Sequence, residues 1–218
     1  MRISPSRAAR RPGAPLLALP TALLAGFAVI GVAEFPEEPR HLAVQRLSAV
    51  ANSALADNAP THDQASDYVY DESTVVPITL SNSSATSSGP GVTINGSTVT
   101  ITAEGTYRLR GALAGQVVVD AADALVRVIL DGVTITNSSN AALFVKKADK
   151  AVVLLADGST NTLTDATTYQ YPDGGDEPDA ALFSKADLTI AGTGKLTVAG
   201  RSYDGIASKD GLVVAGAT

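Results

Sequence analysis

The sequence contains no cysteine and no tryptophan, and its 218 residues include only two histidines. Without thiols the chain cannot form disulfides, so an exported form would depend for its stability on its core, on bound metal, or on both. Thiolate-rich or imidazole-rich metal sites lack ligands, because His41 and His62 both precede the strand-rich part of the chain. A Ser-His-Asp triad within that part is excluded for the same reason.

Aromatic residues are also scarce, at 5%, whereas hydrophobic residues reach 45% and charged residues only 17%. Such a chain can bury a core in one domain, and that core must be built from small and β-branched side chains. Sequence patterns of several common sites are missing: there is no nucleophile elbow, no phosphate-binding loop and no EF-hand spacing in residues 173–179. The composition favours many short strands.

The first 33 residues have the layout of an export signal. Residues 1–13 contain four arginines and no acidic residue, and an apolar run follows over residues 14–33. Gly31 and Ala33 are small residues that suit signal cleavage, while a run of about 20 residues also leaves an uncleaved membrane anchor open. The sequence predicts a secreted or cell-surface protein that contacts a membrane only through this segment, if the segment is kept.

Removal of this segment would make the chain more negative. Four of the 16 basic residues would be lost and none of the 22 acidic ones, which takes the formal charge from −6 to −10. Nucleic acid is then a poor partner, since phosphate binding requires the opposite sign. Residues 34–76 are rich in Ala, Pro, Asn, Asp and Ser, and we predict a low-complexity linker with one short helix near residues 42–55.

From residue 77 onward, short runs of alternating apolar residues recur between turn residues, which predicts strands. Asn95 and Gly96, between two such runs, predict a tight hairpin turn. Three later segments resemble one another: AALFVK at 141–146, AALFSK at 180–185 and DGIASK at 204–209.

The spacing of these similar segments is that of stacked repeats. Leu188 and Ile190 recur about 24 residues later as Leu212 and Val214, within the range of solenoid repeats. An insertion over residues 165–178 accounts for the longer gap between the first two of these segments. The sequence therefore predicts a right-handed parallel β-helix over residues 77–218. The alternative is an antiparallel β-sandwich, which also has short strands and frequent turns.

Several longer strings carry a resemblance to a known family. They are GTYRLRG at 105–111, VILDGVTI at 128–135, DEPDAALFSKADLTI at 176–190, GTGKLTV at 192–198 and DGIASKDGLVV at 204–214. Through them the chain resembles the bacterial carbohydrate-binding, calcium-containing parallel β-helix family, whose fold is similar to that of pectate lyases. The resemblance covers residues 77–218. It implies binding of polygalacturonate and cellulose, and further turns of the helix after residue 218.

Acidic residues collect in the second half of the chain, and we predict a calcium site among them. Calcium takes six to eight oxygen ligands, which successive turns of a solenoid can supply. Asp187 and Asp210 are expected at matching places in adjacent turns, where carboxylates about 4.8 Å apart repel unless a cation intervenes. The alternative is a set of ordinary turn residues, since aspartate favours turns. The candidate ligands are Asp176, Glu177, Asp179, Asp187, Asp204 and Asp210.

Two tyrosines and two lysines are candidate contacts for carbohydrate. Tyr171 precedes a proline in the polar insertion, and Tyr203 also lies near the acidic residues; tyrosine rings at exposed sites can stack on sugars. Lys185 and Lys209 hold equivalent places in the repeats. They either balance the neighbouring carboxylates or supply the base of a uronate lyase.

The sequence thus predicts calcium-assisted binding of acidic or plant cell-wall polysaccharide, without catalysis. Calcium held by aspartates would bridge to the carboxylates of polygalacturonate, because a negative protein and a negative polymer otherwise repel. Two alternatives stay open: a pectate-type polysaccharide lyase, and a cell-surface adhesin or stalk.

Overall fold

The computed structural model describes residues 61–172 and 174–216, which belong to one compact unit, Ala51–Thr218. These residues contain strands and two short 3-10 helices, as expected for an all-β chain. The predicted export signal and the predicted helix near residues 42–55 lie outside the described residues. Within the described part of the chain, no helix has the length and apolar character needed to cross a membrane.

The two 3-10 helices, Ala65–Tyr68 and Glu72–Thr74, precede the strands. The strands are β1 (Val76–Asn82), β2 (Ser84–Ser87), β3 (Val92–Asn95), β4 (Thr98–Ile101), β5 (Gly105–Ala114), β6 (Gln116–Asp120), β7 (Leu125–Thr136), β8 (Leu143–Lys147), β9 (Lys150–Leu155), β10 (Thr160–Thr164), β11 (Ala180–Ser184), β12 (Asp187–Gly192), β13 (Lys195–Ala199), β14 (Asp204–Ser208) and β15 (Leu212–Ala215).

The strands form two mostly parallel sheets. The nine-stranded sheet has the order β15-β12-β9-β7-β5-β1-β2, with β10 paired to β7 and β13, and the six-stranded sheet has the order β14-β11-β8-β6-β4-β3. Among the described strands, antiparallel pairing occurs between β1 and β2 and between β3 and β4. The second pair is the predicted hairpin: Gly96 in its turn has a φ of 56°, which primed hairpin turns require.

Parallel pairing joins equivalent positions of the sequence repeats. Leu182 pairs with Leu143 on one side and with Ile206 on the other, and Leu188 pairs with Leu212. The predicted alignment of the repeats is therefore confirmed. The sandwich alternative also has two sheets packed around one core, and in this respect it fits. It differs in strand direction, because antiparallel pairing is found only near the start of the described strands.

The long strands β5 and β7 each take part in two rows of parallel strands. The first half of β7 pairs with β9, whereas residues 134–136 pair with β10. Gly132 lies at the bend between the halves with a φ of 76°, a conformation that favours glycine. The buried side chain of Asn161 fixes this bend, because its oxygen accepts hydrogen bonds from the backbone N–H groups of Gly132 and Val133, both at 3.0 Å.

The core is built mainly of aliphatic side chains, as the composition predicts. Full burial of one Val, Leu or Ile side chain stabilises the fold by about 1.5–3 kcal/mol, so the stacked repeats supply most of the stabilising energy. Tyr107 is the aromatic residue in this core, and its hydroxyl donates to the Ala103 carbonyl at 2.9 Å. Its aliphatic members include Val99, Val117, Leu143, Val153, Leu182 and Leu188.

Residues 61–75, at the end of the predicted linker, pack onto the nine-stranded sheet. The Arg127 Nε donates to the Asp67 carbonyl at 2.8 Å, and the Lys150 Nζ donates to the Asp67 carboxylate at 2.9 Å. The Nε2 of His62 lies 3.1 Å from the Thr189 hydroxyl. The side chains of Lys150 and Asp67 are only 12% and 6% exposed. This part of the predicted linker is therefore held by a buried ion pair.

The ion pair predicts a pH-dependent stability. Burial raises the pKa of Asp67, but hydrogen bonds from Lys150 and from the Gln64 N–H, together with nearby positive charge, bring it below the usual value of 3.8. A carboxyl with a lowered folded pKa stabilises the fold above its unfolded pKa, and this stabilisation is lost as the pH falls through the folded pKa. Asp67→Asn should lower the free energy of unfolding at pH 7 by about 3 kcal/mol, because Lys150 stays buried without its partner.

Urea unfolding at pH 7 and at an acidic pH below the folded pKa of Asp67 measures the effect. The difference between the variant and the wild type should shrink at the acidic pH, where Asp67 is itself protonated. Asp149→Asn is the control, since Asp149 is exposed. An equal difference at both pH values would show that the charge of Asp67 is not what stabilises the segment.

Candidate functional site

Three lysines line up at the ends of neighbouring strands of the six-stranded sheet: Lys146 lies within β8, and Lys185 and Lys209 follow β11 and β14. The residues that precede them pair with one another across the three strands. The backbone N–H of Lys185 donates to the Val145 carbonyl at 2.9 Å, and that of Lys209 donates to the Ser184 carbonyl at 2.9 Å. Lys146, Lys185 and Lys209 therefore form a lysine ladder, beside which Lys147 of β8 places a further ammonium group 3.8 Å from Asp120.

The lysine ladder is accessible, and each of its ammonium groups has a carboxylate partner. The side chains of Lys146, Lys185 and Lys209 are 49%, 41% and 54% exposed. Lys146 lies 2.8 Å from Asp120, and Lys185 lies 2.8 Å from one oxygen of Glu177. Lys209 pairs with the other oxygen of Glu177. Since parallel strands are about 4.8 Å apart, the stacked cations repel and require anions beside them.

The ion pairs keep these groups charged. Hydrogen bonds from Lys185 and Lys209 hold the pKa of Glu177 below its usual range, and the bond to Glu177 raises the pKa of Lys209. The bond from Lys146 likewise lowers the pKa of Asp120. The lysines of these pairs are exposed, so the pairs are partly screened by salt, whereas the side chains of Asp120 and Glu177 are only 28% and 19% exposed. Another anion can replace one of these carboxylates only if its side chain moves away.

A cleft of about 340 Å³ lies beside the lysine ladder. Its lining combines two aromatic rings, three amide side chains and one carboxylate. Amides and carboxylates donate or accept hydrogen bonds, and ring faces contact apolar surfaces, so this lining suits a sugar ring and its hydroxyls. These six side chains are Phe144, Tyr171, Gln116, Asn140, Gln170 and Glu177.

Phe144 connects the cleft to the lysine ladder. Its neighbours in β8, Leu143 and Val145, are buried in the core, and side chains alternate along a strand, so Phe144 points to the outer face. Its ring centroid lies 5.8 Å from that of Phe183, with which it pairs in register. The Lys185 Nζ lies 6.0 Å from the Phe144 centroid, at the limit of cation–π distance. The cleft and the ladder thus form one surface.

A cluster of three tyrosines anchors the insertion that forms one wall of the cleft. The centroid of Tyr169 lies 6.1 Å from that of Tyr171 and 5.5 Å from that of Tyr203. The Tyr169 hydroxyl donates to the buried Asp165 at 2.9 Å, and burial raises the pKa of Tyr169. The Tyr171 hydroxyl donates to the Pro178 carbonyl at 3.0 Å.

The four predicted carbohydrate contacts lie at different parts of this surface. Lys185, Lys209 and Tyr171 lie at the cleft or the ladder, although Tyr171 uses its hydroxyl within the insertion. Tyr203 is 56% exposed, and its ring stands edge-on to that of Tyr169. Burial, and next the charge and hydrogen bonding of the Tyr203 side chain, raise the pKa of Tyr171, so Tyr203 lies beside Tyr171.

Among the predicted calcium ligands, Asp187 and Asp210 do not stack. Leu188 pairs with Leu212, which places Gly211, and not Asp210, beside Asp187. One oxygen of Asp187 accepts a hydrogen bond from the Gly211 N–H at 2.9 Å and lies 3.5 Å from the His62 Nδ1. The expected pair of matched carboxylates is therefore wrong by one residue.

The other predicted ligands are also spread out. Asp176, Asp204 and Asp210 are exposed, Glu177 is bound by two lysines, and one oxygen of Asp179 is buried without a hydrogen-bond partner. In residues 61–172 and 174–216, no three His, Asp or Glu side chains form a group that could hold a metal ion. The described residues by themselves do not form a complete calcium site. Calcium binding stays a prediction of the sequence.

Three parts of the site were not predicted from the sequence. Lys146 ends the AALFVK string, at the position of Lys185 and Lys209 in the two similar segments, so the repeat itself contained the signal for this lysine. Phe144 lies within the same apolar string, and the alternation of β8 turns it outward. The amides of the cleft come from separate segments and have no local pattern.

Comparison with known proteins points to one family. A family model described as "Carbohydrate-binding domain-containing protein" matches residues 95–218. A protein of the same description from Acetivibrio thermocellus is 39% identical over 129 residues, which cover 58% of this chain and 45% of the relative. A solved polysaccharide lyase-like protein from C. thermocellum, in a gadolinium derivative, has a TM-score of 0.62 and 34% identity, and the match covers 64% of this chain and 58% of that one.

The chain spans about half the length of these relatives. The residues matched by the family model include the whole lysine ladder and all six side chains given for the cleft. These features therefore belong to the part of the chain that defines the relationship. The chain is a member of the carbohydrate-binding domain-containing protein family.

Proposed function

We propose that this domain binds acidic plant cell-wall polysaccharide, with polygalacturonate as the reference ligand, through the lysine ladder and the adjoining cleft. The lysine ladder carries the proposal. A linear polyuronate has one carboxylate on each sugar, and three cations at successive strands offer a row of partners to such a chain. The formal charge of the whole chain is −6, so attraction of an acidic polymer requires a local concentration of positive charge.

The architecture suits a long ligand. We propose that the strands wind as a right-handed parallel β-helix: the parallel pairs join strands one repeat apart, β5 and β7 each supply two rows, and crossovers between parallel strands are right-handed. The lysine ladder then runs along the axis of the helix. A polymer bound to it would cross the strands, with its sugar rings against Phe144 and Tyr171.

The cleft allows a neutral chain such as cellulose to bind as well. The Gln116 and Asn140 amide groups donate to the carbonyls of Ala141 and Gln170. The oxygen of Gln116 and the amide of Gln170 therefore carry the hydrogen bonding to a neutral ligand, which needs no charge. An acidic chain would add the contacts to the ladder. The salt dependence of binding therefore distinguishes the two ligand classes, because only the ionic contacts are screened.

Binding without catalysis is the better match to the lysines. Removal of the proton next to a uronate carboxylate requires a base with a pKa near the working pH. Lys185 and Lys209 are both paired with Glu177, and the pKa of Lys209 is raised, which disfavours the neutral amine. The solved relative is called polysaccharide lyase-like, so lyase activity is the alternative to test.

Calcium assistance is a separate proposal with weaker support from the geometry. Gadolinium, present in the solved relative, is a hard cation that prefers oxygen ligands, as calcium does. In the described part of this chain, one oxygen of Asp179 is buried and accepts no hydrogen bond, so it has capacity for a cation. The residues described do not complete the coordination sphere.

The first test measures retention on immobilised polygalacturonate. Replacement of Lys146, Lys185 and Lys209 together by Gln should weaken binding about tenfold or more, equivalent to at least ~1.4 kcal/mol, and should remove most of its salt dependence. Lys195→Gln is the control, because Lys195 is an exposed lysine of β13 outside the ladder. Unchanged retention of the triple variant would contradict a role for the ladder.

The second test measures thermal unfolding in calcium and in excess chelator. If the native state binds calcium, the melting temperature should rise with calcium concentration, and Asp179→Asn should reduce the rise while Asp149→Asn should not. Melting curves that coincide in calcium and in chelator would show that calcium does not stabilise the fold. Loss of polygalacturonate retention in chelator, with the fold intact, would assign the carboxylate contacts to calcium and not to the lysines.

The third test separates binding from cleavage. Polygalacturonate incubated for hours with the protein and calcium should show no increase in the ultraviolet absorbance of unsaturated uronate, although the same sample retains the polymer. A steady increase that Lys185→Ala or Lys209→Ala abolishes would establish a lyase. An increase that neither substitution affects would indicate a contaminating enzyme, which a repeat preparation checks.

A further inference from the structure

We propose that Glu177 is an internal competitor for the acidic ligand: its carboxylate occupies the cation pair of Lys185 and Lys209, and a sugar carboxylate must displace it. This inference rests on the proposed function. It assigns to Glu177 a regulatory role at that site, which sets a threshold for binding.

The geometry of Glu177 is that of a bound ligand. Its two oxygens contact two lysines that follow adjacent strands, β11 and β14. Glu177 also lines the cleft, so its carboxylate stands where the cleft meets the ladder. A uronate carboxylate presents the same two oxygens, and it would satisfy the same two ammonium groups if Glu177 moved away.

Glu177 differs from the other carboxylate at the ladder in how it is attached. Asp120 is the last residue of β6 and is fixed by strand pairing with β8. Glu177 lies in the insertion between β10 and β11, after the exposed residues 174–176, and has one more methylene group than aspartate. Its side chain can leave the lysines by rotation without breaking a strand.

An attached competitor acts at a high effective concentration, of the order of millimolar or more for short flexible connections. A single free uronate must compete against it with one carboxylate. A polymer gains several contacts at once, to the ladder and to the cleft, so its total binding free energy can exceed the cost of displacement. The domain would therefore ignore uronate monomers and bind the polymer.

The experiment compares wild type, Glu177→Gln and Asp149→Asn by calorimetry with trigalacturonate and with polygalacturonate. Asp149 is an exposed acid outside the cleft and the ladder, so its substitution makes the same change in net charge without freeing the lysines. We expect Glu177→Gln to bind both ligands about tenfold more tightly than wild type, because each must displace the same carboxylate, and Asp149→Asn to gain less than about twofold.

Further variants guard against a change in folding. Glu177→Asp, which keeps the charge but shortens the side chain, should show a smaller gain in the same direction. Glu177→Gln combined with Lys185→Gln and Lys209→Gln should lose the gain. Circular dichroism and thermal unfolding check that each variant is folded.

The outcomes separate this inference from the proposed function. Binding by wild type with no gain in either folded Glu177 variant would overturn the role of Glu177 alone. Equal gains in Glu177→Gln and Asp149→Asn would overturn it too, since the effect would then be one of net charge. Failure of wild type and Glu177→Gln alike to bind polygalacturonate would overturn the proposed function itself.

Discussion

The parallel register between strands one repeat apart is the constraint on which the rest of the structure depends. It places each side chain between its own equivalents in the repeats before and after it. Inside the fold this produces stacks such as Leu143, Leu182 and Ile206, which are stable without further help because apolar contact is favourable wherever it occurs. Outside, the same register stacks charges, which are not stable without partners.

The lysine ladder is a direct product of that register. A lysine at one position of the repeat becomes a row of lysines at strand spacing, and the row must recruit anions from elsewhere in the chain. Asp120 and Glu177 supply them from a strand and from the insertion. The same parallel register thus produces the apolar core on the inner face of the strands and the candidate site on their outer face.

The sequence revealed those features that depend on period and repetition. The β3–β4 hairpin, the alignment of the repeats and the position of the insertion were all predictable, because alternation and local strings determine them. The slip at Asp187 was also avoidable: two residues separate Lys185 from Leu188 and Lys209 from Leu212, so the residue before each leucine is Asp187 in one repeat and Gly211 in the next. The predicted match of Asp187 with Asp210 rests on the acidic composition of both turns, whereas the position of a residue in the repeat determines which residues lie side by side.

Features that depend on the path of irregular segments could not be predicted. The contact of Glu177 with two lysines requires the course of the insertion, which no periodicity specifies. The packing of residues 61–75 combines polar contacts of Asp67 and His62 with distant strands and apolar contacts of Tyr68, Tyr70 and Val75 with the sheet. So short a segment of mixed polarity has no periodicity that predicts such docking. Both lie at the edges of the repeat pattern, where tertiary contacts replace local rules.

The insertion leaves the strands on either side of it in register: β10 ends at Thr164, β11 begins at Ala180, and both pair with their neighbours in the stack. Its exposed stretch, residues 174–176, can therefore vary without disturbing the core, whereas the buried Asp165 and Tyr169 hold its base in place. Insertions in repeat proteins commonly project on one face. In this chain, changes in the exposed stretch of the insertion could alter ligand preference while the paired strands stay the same, in evolution or in protein design.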